Sequence, residues 1–286
     1  MQPAATLQNA IGTQNMRYAV HSFILAGLTL LCAWQSSNAQ PANPTSMDNS
    51  AVKIVQQTEP RLVPLNENDI LDTWSKAAAS AFQKVRDYQS TFVKQERIDG
   101  ALQEEQIALL KVRNQPFSVA VKFQAPKSMA GRGAAYVVGK NNNQLRAKGP
   151  LGIATFSLDP HDPKVMQGTR HAITEAGIGH LINEITAAAQ TRTKTEGADA
   201  LQVAINEVQL TRKGCVRIEI TDPRADGKKS HYRSAAYFDK ETNLPIRIEN
   251  YDRLRANGPA GGELMECFTY LDLKFNIGLT DAAFVP

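Results

Sequence analysis

The 286-residue sequence lacks the local signatures of the common enzyme classes. It contains no GxSxG, no HExxH and no cysteine–histidine nucleophile arrangement. The stretch from Gly133 to Asn141 imitates a phosphate loop, but five residues separate its glycines, and Asn141 stands where the magnesium-binding Ser or Thr belongs. The sequence therefore predicts a protein that is not an enzyme and that needs no cofactor.

Residues at the spacing typical of metal ligands are equally scarce. His180 and Glu184 lie one turn apart on a predicted helix, a spacing that occurs in metal sites and in ordinary helix pairs alike. With only two candidate ligands, the solvated pair is the better interpretation, and His171 adds no pattern of its own. No metal site is predicted.

An excess of one charge is also missing. The chain carries 32 Lys and Arg against 28 Asp and Glu, and removal of a signal peptide would take away only Arg17, leaving 31 − 28 = +3. No block of basic residues occurs, so the sequence does not favour nucleic acid as a partner.

Long apolar runs are absent beyond the N terminus, so no transmembrane span is predicted in the mature chain. Met16-Arg17 opens a short basic region, residues 20–33 are apolar, and small residues end at Ala39. This order predicts a signal peptide over residues 1–39, cleaved after Ala39, and export to the periplasm. Lipidation of Cys32 is the less favoured alternative because bulky Leu31 precedes it, and either Met1 or Met16 is the start.

Cysteine is scarce in the mature chain, where only Cys215 and Cys267 remain. We place them in the second and fifth strands of one predicted meander, at a separation of roughly 14 Å if neighbouring strands lie ~4.8 Å apart. A disulfide needs much closer Cα atoms, so we predict small core residues instead.

The regular elements that are present begin after a polar, proline-containing stretch, residues 40–66, which is predicted to be a flexible linker. A helix follows over residues 71–85, capped by Asn68 or Asp69. Three long strand-like runs then fill residues 88–123, joined by Asp99-Gly100 and by a turn at Pro116. Tight connections between such runs predict an antiparallel meander.

The remainder extends and covers that meander. Short strands are predicted on both sides of residues 139–143 and over residues 151–158, followed by a helix over residues 172–190 that breaks at Gly177 to Gly179. Five alternating strands complete the chain. Residues 67–286 are therefore predicted to form a single domain.

These segments resemble a known family. The opening meander resembles that of LolA/LolB-type lipoprotein carriers. The residues that carry this resemblance are Gln95, Gly100, Gln106, residues 111–113, residues 116–122 and Pro126. The late hairpin, residues 237–249, and the closing segment, residues 270–284, are similar to those of outer-membrane lipoprotein-sorting proteins. Together with residues 170–178, the whole stretch 88–286 resembles the DUF1571 family of exported bacterial proteins.

The resemblance implies an α+β fold, mainly antiparallel β, in which a curved half-open β-barrel carries helices across its concave face. In such carriers the space between sheet and helices holds acyl chains. The candidate ligand-binding wall comprises Phe92, Phe117, Val119, Phe123, Tyr136, Ile178, Leu181 and Ile185. The family arginine that helps to hold the helical cover shut falls on Arg113, although Asn114-Gln115 departs from the usual Arg-Pro step.

Two functions of different classes follow. The first is a periplasmic binding or carrier protein for a lipid or a lipoprotein acyl group in a hydrophobic cavity. The alternative is an envelope sensor or scaffold of the same fold, with a filled core and a protein partner. Ligand pockets and packed cores have similar composition, so the wall residues alone leave both open.

Overall fold

The computed structural model describes residues 51–63, 69–149, 154–192, 201–225, 227, 231–254 and 257–286. The predicted signal peptide, Cys32 and the first residues of the strand predicted over 151–158 lie outside these ranges. No helix within the described ranges has both the length and the apolar character needed to cross a membrane.

Within the described ranges, three α-helices form where the sequence supplies helical periodicity or caps. They are α1 (Asp69–Phe82), α2 (Pro163–Met166) and α3 (Ile178–Arg192). The short helix α2 begins at Pro163, and the Asp162 side chain accepts a hydrogen bond from the backbone N–H of Lys164, which satisfies a donor that the helix leaves free. A 3-10 turn, Ile173–Glu175, precedes α3, so the predicted break at the glycines is confirmed.

The described residues form fourteen strands. In chain order they are β1 (Ile54–Gln56), β2 (Arg61–Val63), β3 (Asp87–Ile98), β4 (Ala101–Leu102), β5 (Gln106–Arg113), β6 (Ser118–Ala125), β7 (Gly133–Val137), β8 (Leu145–Lys148), β9 (Thr155–Leu158), β10 (Gln202–Leu210), β11 (Lys213–Thr221), β12 (Arg233–Asp239), β13 (Pro245–Asp252) and β14 (Glu263–Phe275). Every pairing between them is antiparallel.

The strand order is β1-β10-β11-β12-β13-β14-β3-β5-β6-β7-β8-β9, with β2 on β10 and β4 on β3. The sheet is therefore two meanders, β3 to β9 and β10 to β14, joined where the last strand pairs with β3. The first and last strands in this order, β1 and β9, do not pair with each other, so the sheet is open. An open antiparallel sheet with few helices confirms the predicted fold class.

The helices lie on one face of the sheet, which we call the inner face. It carries Tyr88, Leu110, Val119, Ile218 and Phe238, which form one buried hydrophobic cluster with residues of α1 and α3. Residues two apart on a strand share a face, which is why alternate positions of β5 are buried. The inner face is thus the hydrophobic core of the molecule.

Local turn chemistry agrees with the sequence. Asp99 and Gly100 both have positive φ, 49° and 79°, as the two central residues of a type I′ hairpin require. Asn243, in the hairpin between β12 and β13, also has positive φ, 59°. Both hairpins were predicted from these residue types.

Two features correct or refine the predictions. The linker predicted over residues 40–66 is not wholly irregular, since β1 and β2 pair with β10 through backbone hydrogen bonds. Most of their side chains are exposed, so no alternation marks these short edge strands in the sequence. Cys215 and Cys267 are buried free thiols, as predicted from their separation in the meander.

Candidate functional site

The inner face brings most of the predicted wall residues together. Seven of the eight lie in or against its hydrophobic cluster: Val119, Tyr136, Ile178, Leu181 and Ile185 are buried in it, and Phe92 and Phe117 pack against it half-buried. Phe123 is half-buried on β6 and lies outside the cluster. Their role in binding a ligand stays a prediction.

Several aromatic rings of the inner face are incompletely buried. Phe92 stacks against Phe268 with ring centroids 6.0 Å apart, and both remain partly accessible. Trp74 of α1 lies 5.3 Å from the Phe238 ring and is also partly accessible, whereas Phe238 is fully buried. The sheet under the helices therefore presents apolar ring surface that the protein does not cover completely.

Arg113 lies at the end of β5, where we predicted a contact with the helical cover. Its Nη2 atom donates to Ser118 Oγ at 2.9 Å and to Asp281 Oδ1 at 2.7 Å, and its guanidinium lies 4.9 Å from the Phe284 ring centroid. These contacts tie the arginine to the C-terminal segment. The lid contact stays a prediction.

A row of polar side chains crosses one end of the inner face. Glu96 of β3 is the register partner of Glu266 in β14, which in turn is the partner of Asn250 in β13. All three are buried, with exposed fractions of 3%, 4% and 7% for Glu96, Glu266 and Asn250. Two buried carboxylates side by side require compensating donors.

The segment between α2 and α3 supplies part of those donors, and the sheet supplies the rest. Arg170 Nε donates to Glu266 Oε2 at 2.8 Å, and His171 Nε2 donates to the same oxygen at 2.9 Å. Asn250 Nδ2 reaches the other oxygen of Glu266 at 2.8 Å. Glu96 accepts from Lys94 Nζ at 2.7 Å and from the Arg170 backbone N–H at 3.2 Å.

This pairing changes the acidity of both partners. Burial alone would raise the pKa of Glu266, but the His171, Asn250 and Arg170 donors outweigh burial and hold that pKa at about 2. Burial alone would lower the pKa of His171, but the hydrogen bond and charge of Glu266 dominate and raise it to about 9. The two side chains therefore form a charged pair at neutral pH.

Three metal-ligating side chains converge beside this network. His171, Glu175 and His180 each offer a ligand atom, and these atoms all lie within 4.8 Å of one another. His171 Nδ1 is 3.3 Å from Glu175 Oε2, and His180 Nε2 is 3.3 Å from Glu184 Oε1. All three residues are half-buried, so solvent ions can reach them.

The junction between the 3-10 turn and α3 fixes this arrangement. Gly177 has a φ of +113°, and a Cβ there would lie 2.6 Å from the Tyr88 hydroxyl oxygen. That hydroxyl accepts a hydrogen bond from the backbone N–H of Ile178 at 2.7 Å, satisfying a free donor in the first turn of α3. The fully buried Tyr88 of β3 thus holds the first turn of α3, which carries His180.

Sequence reasoning missed the polar end of the inner face. Its one detectable signal was strand parity: Glu96 shares its face with Phe92, and Glu266 shares its face with Phe268 and Tyr270. A carboxylate at a core position of a strand indicates a buried partner, but nothing local shows that the partner is Arg170 or His171.

Comparison with known proteins gives one family. Residues 85–286 match the family described as Protein of unknown function (DUF1571). No curated protein matches the chain by sequence.

Similar solved structures include the following three. An uncharacterized conserved protein from Thermus thermophilus is 14% identical with a TM-score of 0.42, over 75% of this chain and 93% of that one. The lipoprotein LppX of Mycobacterium tuberculosis is 12% identical with a TM-score of 0.42, over 73% of this chain and 97% of that one. A putative outer membrane lipoprotein-sorting protein domain from Vibrio parahaemolyticus is 12% identical with a TM-score of 0.34, over 75% and 97%.

Proposed function

The chain belongs to the DUF1571 family, and we propose that it is an exported binding or carrier protein for a lipid or a lipoprotein acyl group. The ligand lies between the inner face of the sheet and helices α1 and α3. We further propose that processing after Ala39 releases the mature protein to the periplasm. It acts by binding and not as an enzyme.

The observation that supports this proposal is the incomplete burial of the inner-face rings. Phe92, Phe117, Phe268 and Trp74 are all partly accessible, although they pack against fully buried neighbours such as Tyr88 and Phe238. A core without a binding role gains most by burying such rings completely, because buried apolar area stabilises at roughly 25 cal/mol per Å². Adjacent accessible rings favour an acyl chain as the missing cover.

The helical cover is attached in a way that suits ligand entry. Helix α1 contacts the sheet through Trp74 on Phe238 and through Phe82, whose ring centroid lies 6.4 Å from that of Tyr88. Apolar contacts of this kind have no fixed direction, so they allow the rings of the helix to slide over those of the sheet. An acyl chain entering beneath α1 would replace these contacts with similar ones.

The polar end of the inner face adds selectivity for an amphiphile. The His171 ring stands edge-on to Phe268 with centroids 5.4 Å apart, so the charged network begins where the accessible rings end. A ligand lying along the face would place its chain on Phe92 and Phe268 and its polar group beside Arg170.

A protein-binding module is the second candidate, and one observation favours it. Strand β9 pairs with β8 alone among the described strands, which leaves an edge of the sheet open to a partner strand. In this alternative the inner face would be filled by its own side chains.

Native mass spectrometry of the mature protein, purified from its own envelope, distinguishes the two. A co-purifying acyl species, absent from Phe117→Asp, supports the carrier, and the same spectrum reports whether processing occurs after Ala39. Leu62→Asp is the matched control, because Leu62 is an exposed apolar residue of β2 that lies outside the inner-face cluster. A wild-type protein that carries no lipid and takes up no fluorescent fatty acid would refute the carrier proposal and favour the protein-binding module.

A further inference from the structure

We infer that His171, Glu175 and His180 form a binding site for one divalent transition-metal ion, with Zn²⁺ as the preferred ion. Sequence spacing offered only His180 and Glu184 as a pair. The fold brings His171 and Glu175 of the preceding segment close to His180, so that one ligand atom from each of these three residues lies within 4.8 Å of the other two. The inference concerns a different set of residues from the acyl-binding rings and stands without the proposed function.

The donor set indicates the class of metal. Two imidazole nitrogens and one carboxylate oxygen suit Zn²⁺ and its neighbours in the transition series, whereas Ca²⁺ and Mg²⁺ prefer oxygen ligands alone. Three protein ligands also leave a fourth tetrahedral position for water or for a ligand group.

The distances are close to those that a tetrahedral ion imposes. Bonds of ~2.0–2.1 Å at tetrahedral angles place two ligand atoms about 3.3 Å apart. His171 Nδ1 and Glu175 Oε2 already have that separation, 3.3 Å. The third ligand atom lies within 4.8 Å of both, a gap that rotation of the half-buried His180 side chain can close.

Each ligand is also oriented by a group behind it. His171 donates from Nε2 to buried Glu266 at 2.9 Å, which directs its Nδ1 atom towards Glu175. The ion would bind Nδ1 by displacing the proton that this atom carries in the charged imidazole, and the proton would leave to solvent. The Glu175 carboxylate is held by the backbone N–H of Ala172 at 3.2 Å, and His180 lies 3.3 Å from Glu184. Carboxylates behind metal-bound histidines fix the ring orientation and raise ligand basicity.

The backbone presents the ligands from two rigid pieces. His171 precedes the 3-10 turn Ile173–Glu175, Glu175 is its last residue, and His180 lies in the first turn of α3. Gly177, bent against the Tyr88 hydroxyl, joins the two pieces. A bound ion would therefore lock α3 to the segment that carries Arg170.

The test uses the mature chain without a polyhistidine tag, stripped with EDTA and titrated with Zn²⁺ by calorimetry. We expect one equivalent per chain, and Co²⁺ in place of Zn²⁺ should give the visible absorption bands of a four-coordinate site. His180→Ala should weaken Zn²⁺ binding by more than tenfold, and Glu175→Gln, which keeps the shape of the side chain, should do the same.

His161→Ala is the matched control, because His161 is an exposed histidine 3.3 Å from Thr174 yet outside the cluster. It should bind Zn²⁺ like the wild type. Absence of stoichiometric binding by the wild-type chain would overturn the inference. Equal affinities for wild type and for Glu175→Gln, with circular dichroism showing that both are folded, would overturn it as well.

Discussion

Replacement of Glu266 by glutamine should reduce the pH dependence of stability above neutral pH. In the folded protein the pKa of His171 is raised from 6.5 to about 9, chiefly by Glu266 acting against burial. A group with a raised folded pKa stabilises fully below its unfolded pKa, and that stabilisation disappears as the pH rises through the folded pKa. Wild-type stability should therefore fall between pH 6.5 and pH 9.

The size of this fall follows from the shift. A change of ~2.5 pKa units at 1.36 kcal/mol each corresponds to roughly 3 kcal/mol. Because the His171 side chain is 29% exposed, solvent screening reduces the expected fall to about 2 kcal/mol. Glu266→Gln should lower stability at pH 6 by a similar amount and make the curve shallower up to pH 9. The slope that remains comes from His180, whose pKa is raised by its hydrogen bond to Glu184.

Urea unfolding at half-unit pH steps, with EDTA present throughout, measures both curves. Glu249→Gln is the matched control: Glu249 is another buried carboxylate of the sheet, but its partner is Arg247, whose Nε lies 2.8 Å from Glu249 Oε1. Arginine stays charged over this range, so the control should lose stability while keeping the wild-type slope. A Glu266→Gln curve parallel to the wild-type curve would refute the pairing.

Two further predictions concern the core. Gly177→Ala should lower the free energy of unfolding by at least about 1–2 kcal/mol, because φ is +113° and the new Cβ would lie 2.6 Å from the Tyr88 hydroxyl oxygen. Gly139 also has positive φ, but a Cβ there would have no atom within 4 Å, so Gly139→Ala should cost clearly less in the same urea experiment. Equal losses for the two variants would contradict the steric argument. Cys215 and Cys267 should resist a thiol reagent at pH 8 until the protein unfolds, since burial raises the pKa of each to about 12; rapid labelling of the folded chain would show that one strand is open.

Local patterns predicted most of the architecture because strands and turns depend on the types and spacing of residues that are close together in the sequence. Alternation at Phe117, Val119 and Val121, together with Asp99-Gly100, located the opening meander to within a few residues. Gly177, which has positive φ directly before α3, marked the helix break for the same reason. What the patterns could not show is that β3 pairs with β14, since that contact joins residues far apart in the chain.

The candidate site likewise has one part that the sequence predicted and one part that it did not. Apolar wall residues such as Ile178 and Leu181 follow from helical periodicity and were predicted. The network around Glu266 was not, because its donors come from Arg170 and His171 on a loop without periodicity. Convergence of side chains from a loop and three strands depends on tertiary packing, which no single window of sequence contains.

The central position of the last long strand has a consequence for how the protein is made. Among the described strands, β14 is the sole link between the β10–β13 meander and the β3–β9 meander. Synthesis proceeds from the N terminus, so the two halves of the sheet have no shared hydrogen-bonded neighbour until the chain is almost finished. The two halves of the sheet thus stay unjoined until β14 has been synthesised. A chain ending before Glu263 would leave two separate half-sheets, and the strands that normally pair with β14, β13 and β3, would each have an unpaired edge.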